Sequence, residues 1–445
     1  MTTFRTVDRE AALALPISLP ERHLARYVVE IVEKLDLSAI EQTYAGCGII
    51  PYPPALLLAL LIYAYATGVF SSRKIERATY ELIPFIYIAG GHHPDHDTIA
   101  TFRRRFKQEF EKIFVQVLQV AQEMGVSKFG RVSLDGTKIH ANASRHAALS
   151  YGHAEQLQAK LQAEVAELIK LAEETTAIPE GMDVPAEIQR REERLAGIAE
   201  AQRKIEARAQ ARYEAELAEF AAKQEARRAR EEATGRKARG KQPQPPTPGP
   251  LPSDQINLTD EESRIMPVAG HGFEQCYNAQ AAVDVDSLLI VVPDVTQAVN
   301  DKQQIAPALA HLQELPAELR PQQLLADTGF LSAANVALCE AAQVEPLIAL
   351  KREEHHIPWQ ERFSPSPPAL SPDATPVERM HHRLHTPEGR ELYALRKQTV
   401  EPVFGIVKEV MGFRQFLTRG LSNVKNEWTL VCLAWNLKRM AVLRP

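Results

Sequence analysis

Three carboxylates in this chain stand where their neighbours suggest chemistry. Asp135 lies inside VSLDGTKIH, an alternating, strand-like segment, and Asp327 ends the apolar run QQLLAD. Glu401 lies in YALRKQTVEPVFGIVK, among Arg396, Lys397 and Lys408, with Tyr393 upstream and Pro402 directly behind. Three clustered carboxylates can hold two divalent cations about 3.5–4 Å apart, the geometry for in-line displacement at a phosphodiester. Magnesium suits such a set best, because it takes hard oxygen ligands and dehydrates reluctantly, with manganese as the alternative ion. Taken singly, each acid also has a plainer reading. Asp135-Gly136 is a strong hairpin-turn dipeptide, Asp327-Thr328-Gly329 suits a cap where strand meets helix, and Glu401 can pair with Lys397 at i, i+4.

The elements that must position these acids follow from periodicity. Residues 1 to about 130 read as helical, with VVEIVEKL, the apolar run 55–70 and TIATFRRRFKQEFEKIFVQVLQVAQEMG in three- and four-residue steps. The segment 131–141 alternates as a strand. From about 153 to 232 the composition turns to Ala, Glu, Gln, Lys and Arg, with two apolar stripes broken by TTAIPEGMDVP, which predicts two long antiparallel, coiled-coil-like helices. GRKARGKQPQPPTPGPLPSD then reads as a Pro-rich linker. From 273 strands and helices alternate, giving the order β, helical insert, β, β, α, β, α, β, α. That order is a mixed α/β layer fold, with Asp135 on the first strand, Asp327 at the end of the fourth and Glu401 on a late helix. Adjacent strand ends and a helix packed beside them can unite such groups.

Composition bounds the rest. A chain of 445 residues predicts two or three structural units. With a net charge of -5, any nucleic-acid binding must come from local basic patches. One such patch is the last stretch, 390–445, with ten Lys or Arg against four Glu. Another is SSRKIERATYE followed by PDHDTIATFRRRFK, which carries Arg73, Lys74, Arg77, Arg103, Arg104, Arg105 and Lys107 in a helix-turn-helix rhythm, or else forms a solvated helix face. The four cysteines show no paired spacing, so neither a disulfide framework nor a zinc site is expected, and a reducing cytoplasm fits. The start lacks a basic region ahead of a long apolar run, so no signal peptide is expected. The run 55–70 is shorter than the roughly 18–20 residues of a membrane span and reads as a buried helix.

In combination and order, these segments resemble the DDE transposases of bacterial insertion sequences, most of all the group called insertion sequence eleven-eighty-two. VSLDGTKIHANAS resembles the first-acid segment, GHGFEQCYNAQAAVD the second-strand signature and LLADTGF the second-acid segment. Tyr393, Arg396, Glu401 and Lys408 resemble the YREK-type third motif, with one residue more than the family spacing between Arg396 and Glu401, so that Lys397 is a rival for the arginine's place. The resemblance implies an RNase H-like catalytic core over 129–445, interrupted by a helical insertion and linker at 153–254 after the first strand, and a helical DNA-binding domain at 1–128. It implies Asp135, Asp327 and Glu401 as catalytic metal ligands. Tyr393, Arg396, Lys397, Lys408, Arg103, Arg104 and Lys107 are then the expected DNA contacts.

The partners implied are double-stranded DNA, as element ends and target, and a second copy of the chain in a synaptic homodimer, in a cytoplasmic, nucleoid-associated protein with no membrane contact. Two other readings stay open, an RNase H-like nuclease that never joins strands and an inactive DNA-binding or assembly protein. Weaker features are His381, His382 and His385, which lack an obvious third ligand, His92, His93 and His96 in a Gly/Pro break, and Trp359, which could stack on an unpaired base.

Overall fold

The computed structural model describes residues 4–9, 19–44, 50–173, 178–179, 181–237, 240–270, 272–350, 367 and 369–444. Cys47 and Trp359 lie outside the described residues, as does most of the Pro-rich stretch 357–376. The chain forms two compact units, one of residues 1–142 with 265–445, the other of residues 143–264.

The described residues form eight strands: β1 (Arg131–His140), β2 (Ala148–Ser150), β3 (Gln255–Asn257), β4 (Arg264–Val268), β5 (Gly272–Asp284), β6 (Ile290–Thr296), β7 (Gln323–Ala326) and β8 (Glu345–Ile348). In the first unit a mixed sheet runs β4-β5-β1-β7-β8, with β6 also paired to β5. β5 is antiparallel to β1 and β6, while β1, β7 and β8 are mutually parallel. This sheet is compatible with an RNase H-like core. β4, β6 and β8 each contain a proline, Pro267, Pro293 and Pro346, and among the described residues each pairs along one side only. A proline has no N–H to donate to a ladder, so these strands suit the edges, whereas β1, β5 and β7 are free to be central.

Among the described residues seven helices precede β1: α1 (Leu24–Glu33), α2 (Ser38–Glu41), α3 (Pro54–Ala66), α4 (Ser72–Glu81), α5 (Ile83–Ala89), α6 (His96–Arg105) and α7 (Lys107–Glu123). α3 is buried on nearly every side, as a helix apolar all round must be. Among the described residues no helix is long and apolar enough to cross a membrane. After β1 come α8 (Tyr151–Glu173), α9 (Val184–Thr234), α10 (Ile305–Glu314), α11 (Ala333–Ala341), α12 (Pro376–His385), α13 (Pro387–Ala394), α14 (Val400–Gly405) and α15 (Leu421–Leu443). α15 packs on α3, α7 and β6 and is buried over most of its length. Its polar groups are satisfied by the sheet: Trp428 Nε1 donates to the Gln280 carbonyl at 3.0 Å, and Asn436 exchanges two 2.8 Å bonds with the Ile290 backbone.

In the second unit α8 and α9 are antiparallel, since Tyr151 bonds Glu206 while Glu164 pairs with Arg191. Leu161, Ile198, Ala201 and Ile205 form their seam, closed by Leu149 and Ile256 of the small β2–β3 sheet. The Pro-rich segment read as a linker is tied back to α9: Arg227 donates to the Lys241 carbonyl, and Arg212 to the Gly249 carbonyl and the Asp254 carboxylate. β2 and β3 have three residues each and β4 contains a proline, so none carries the alternating run by which a strand is recognised.

Candidate active site

The parallel pairing of β1 with β7 sets Leu134 opposite Ala326. The next residue on each strand is an aspartate, so Asp135 and Asp327 emerge at the same level on neighbouring strands. Asp135-Gly136 lies in mid-strand, not in a turn. Asp135 Oδ1 accepts from the Gly136 N–H at 2.7 Å, and the side chain is 20% exposed. Burial pushes its carboxyl up to about 7; the Gly136 bond and Arg396 pull it down, while the charges of Asp327 and Asp301 push it further up. Asp327 Oδ1 accepts from the Gly329 N–H at 2.8 Å and caps the short 3-10 turn Thr328–Phe330, as expected of an acid where strand meets helix.

Glu401 lies in the first turn of α14, where Pro402 has no helical hydrogen bond to forfeit. Arg396 lies in the preceding 3-10 turn, Leu395–Gln398, and reaches forward across Thr399. Its Nη2 is 3.3 Å from Glu401 Oε1 and its Nη1 is 3.7 Å from Asp135 Oδ2. Tyr393 donates to the Ala326 carbonyl, next to Asp327, at 3.4 Å. The segment carrying the third acid is thus tied to both strands that carry the other two.

Beyond α14 the chain widens into a π-helical turn, Ile406–Val410, a distortion that re-aims side chains. Within it Lys408 reaches β1, donating to Thr137 Oγ1 at 2.6 Å and to the Lys138 carbonyl at 3.0 Å. Burial holds the Lys408 and Lys138 ammonium groups below the ordinary lysine range. Glu409 pairs with Arg414.

A polar group not singled out from the sequence adjoins Asp135. Asp301 Oδ1 accepts from Asn278 Nδ2 at 2.7 Å and from Gln280 Nε2 at 2.5 Å. All three press on Gly136, where a Cβ would strike Gln280, Asp301 and Asn278. The signal in the sequence is the pair of amides in the apolar strand NAQAAVDV, since a buried amide needs a partner.

The expected DNA contacts of the N-terminal region divide. Arg103 turns inward and donates to Tyr65 Oη at 2.7 Å, and Tyr65 in turn bonds the fully buried Glu427. Arg104 is exposed, and Lys107 donates to Ser422 Oγ at 3.2 Å. Lys397 is exposed beside the buried Arg396. His93 stacks on Tyr80, His92 meets the Thr6 carbonyl, and His96 pairs with Glu76. His381 and His385 lie one turn apart on α12, with ring centroids 4.2 Å apart.

Among the described residues no group of three or more His, Cys, Asp or Glu side chains is drawn together closely enough to hold a metal ion. The link between Asp135 and Glu401 is made by the Arg396 guanidinium. The donor chemistry nevertheless fits a hard divalent cation: two aspartates on adjacent strands, one of them buried and raised partly by the charge of the other.

No curated protein and no solved structure matches the chain. Residues 370–441, which include Tyr393, Arg396, Glu401 and Lys408, match the family model of the transposase DDE domain. Residues 15–105, which include Arg103 and Arg104, match that of a transposase domain (DUF772), and together the two matches support a DNA transposase.

Proposed function

We propose that this chain cleaves the ends of an insertion sequence and joins them to target DNA by metal-dependent phosphoryl transfer at Asp135, Asp327 and Glu401. The observation that carries the reading is the β1–β7 register, which sets the first two acids side by side, with Arg396 linking the third to Asp135. Magnesium, or manganese in its place, would be held by these carboxylates and would supply charge neutralisation and an activated water or hydroxyl. The chain's own part is to fix the acids on rigid strands and to surround the scissile phosphate with Lys397 and the cations of the last stretch. Water first displaces the 3′ oxygen at the element end, and the freed 3′ hydroxyl then displaces a 3′ oxygen in the target. Arg104 and Lys107 contribute DNA contacts, and the α8–α9 hairpin serves as the arm that brings two copies and two ends together.

The test uses the full chain, magnesium, labelled element ends and a target plasmid. Joined product is the expected outcome. Cleavage without joining would make the protein a nuclease, and end binding without cleavage would make it an assembly protein.

A further inference from the structure

Arg396 belongs by sequence among the DNA contacts, but its geometry is that of an internal residue. Its side chain is 10% exposed, and Nε has no hydrogen-bond partner among the described residues. Its two terminal nitrogens face Asp135 and Glu401. A guanidinium forks rigidly and can face two carboxylates at once, which a lysine's point charge cannot. Lys397, one residue on, is exposed where Arg396 is not.

We propose that Arg396 is a positioning residue of the carboxylate site, a built-in counter-cation that holds Glu401 to Asp135 until a divalent ion displaces it. The inference rests on the assignment of Asp135, Asp327 and Glu401 proposed above. A divalent ion and a guanidinium repel one another, so an ion entering against these carboxylates competes with the Arg396 bridge. The bridge explains why the acids are linked without converging on a common point. It also accounts for the additional residue between Arg396 and Glu401: the 3-10 turn, Thr399 and the start of α14 together fold the arginine back over the acid that follows it.

The test measures Mn2+ binding to the full chain without DNA, by calorimetry and by the spin resonance of free Mn2+. Arg396→Met should bind Mn2+ about tenfold tighter than wild type, the order expected when one charge-assisted contact no longer competes. Arg396→Lys, which keeps the charge but loses the fork, should fall between the two. End-DNA affinity in EDTA, and its salt dependence, should be the same in all three. A residue needed only for folding would give unchanged or weaker Mn2+ binding. That result would overturn the proposal, as would a loss of DNA affinity with a salt slope shallower by about one. Should Arg396→Met fail to fold, Arg396→Lys decides on the same two readouts. Asp135→Asn separates the levels of the argument: if wild type binds Mn2+ no better than this variant, the carboxylate assignment itself fails, whatever Arg396 does.

Discussion

Asp135 and Asp327 are neighbours because each directly follows one member of a β-pair, Leu134 on β1 and Ala326 on β7. Asp135 is mostly buried beside a second acid, so in the metal-free chain its proton is retained to about pH 7. The sign of the consequence is fixed. A carboxyl with a raised folded pKa contributes stability that is fully present below its unfolded value, near 3.9, and is lost as pH rises through the folded one. In EDTA, stability should therefore fall between pH 4 and pH 7 by an amount of the order of 4 kcal/mol, read as a falling melting temperature. Asp135→Asn should flatten that fall. A fall of the same size in the variant would remove Asp135 as its source.

Asp135→Asn and Asp327→Asn should each abolish metal-dependent cleavage while end binding persists, because Asn keeps the shape and removes the charge. Magnesium should raise the melting temperature of wild type at pH 8 and should not raise that of either variant. Cleavage at the wild-type rate in either variant would reject the assignment.

Glu401 and Glu409 form an internal control. Glu409 is an exposed partner of Arg414, and exposed pairs contribute at most about 1 kcal/mol. Glu409→Gln should leave cleavage intact, whereas Glu401→Gln should eliminate it without changing end affinity. The reverse pattern would move the third acid eight residues along the chain.

What the sequence revealed and what it concealed differ by the range of the interaction. That Asp135 lies on a strand and Asp327 directly after one was legible because alternation and a short apolar run are local signals; the parallel pairing that sets them side by side is not local. The burial of α3 followed from its apolar run. Arg396 was read outward because basic residues beside an acid look like a phosphate-binding face. Its inward turn depends on a 3-10 turn and a change of helix that no periodicity records. Lys408 follows Glu401 by seven residues, about two turns of an α-helix, and the π-helical turn breaks that count. Asp301 stayed hidden because its partners, Asn278 and Gln280, lie on a strand more than twenty residues earlier.

Gly136 tests the packing around Asp301. A Cβ there meets the side-chain ends of Gln280, Asp301 and Asn278, which are hydrogen-bonded to one another and must part to make room. Gly136→Ala should cost about 1–3 kcal/mol, the range for overpacking, in urea unfolding. Gly405→Ala, on helical backbone with nothing within 4 Å of the new carbon, should gain roughly 0.5–1 kcal/mol. Equal effects at the two sites would show that the crowding at Gly136 relaxes freely.

Arg103 and Arg104 are adjacent on α6, and the sequence gives them one role, whereas the fold gives them two. Arg103 donates to Tyr65, whose hydroxyl is bonded to the buried Glu427; burial, then the Glu427 charge, drives the Tyr65 phenol well above its ordinary range. Arg103→Ala would remove the cation nearest that chain of groups and leave the tyrosine and glutamate less compensated. The expected cost is about 1–3 kcal/mol, with the salt dependence of DNA binding unchanged. Arg104 is exposed at the same helix end, so Arg104→Ala should move stability by no more than about 0.5 kcal/mol. If Arg104 meets a phosphate, the slope of log affinity against log salt should flatten by about one unit. Measuring stability and salt slope for both single variants separates the roles, which a combined mutant would confound. A flattened slope in Arg103→Ala with stability retained would mean that the inward contact gives way when DNA is bound.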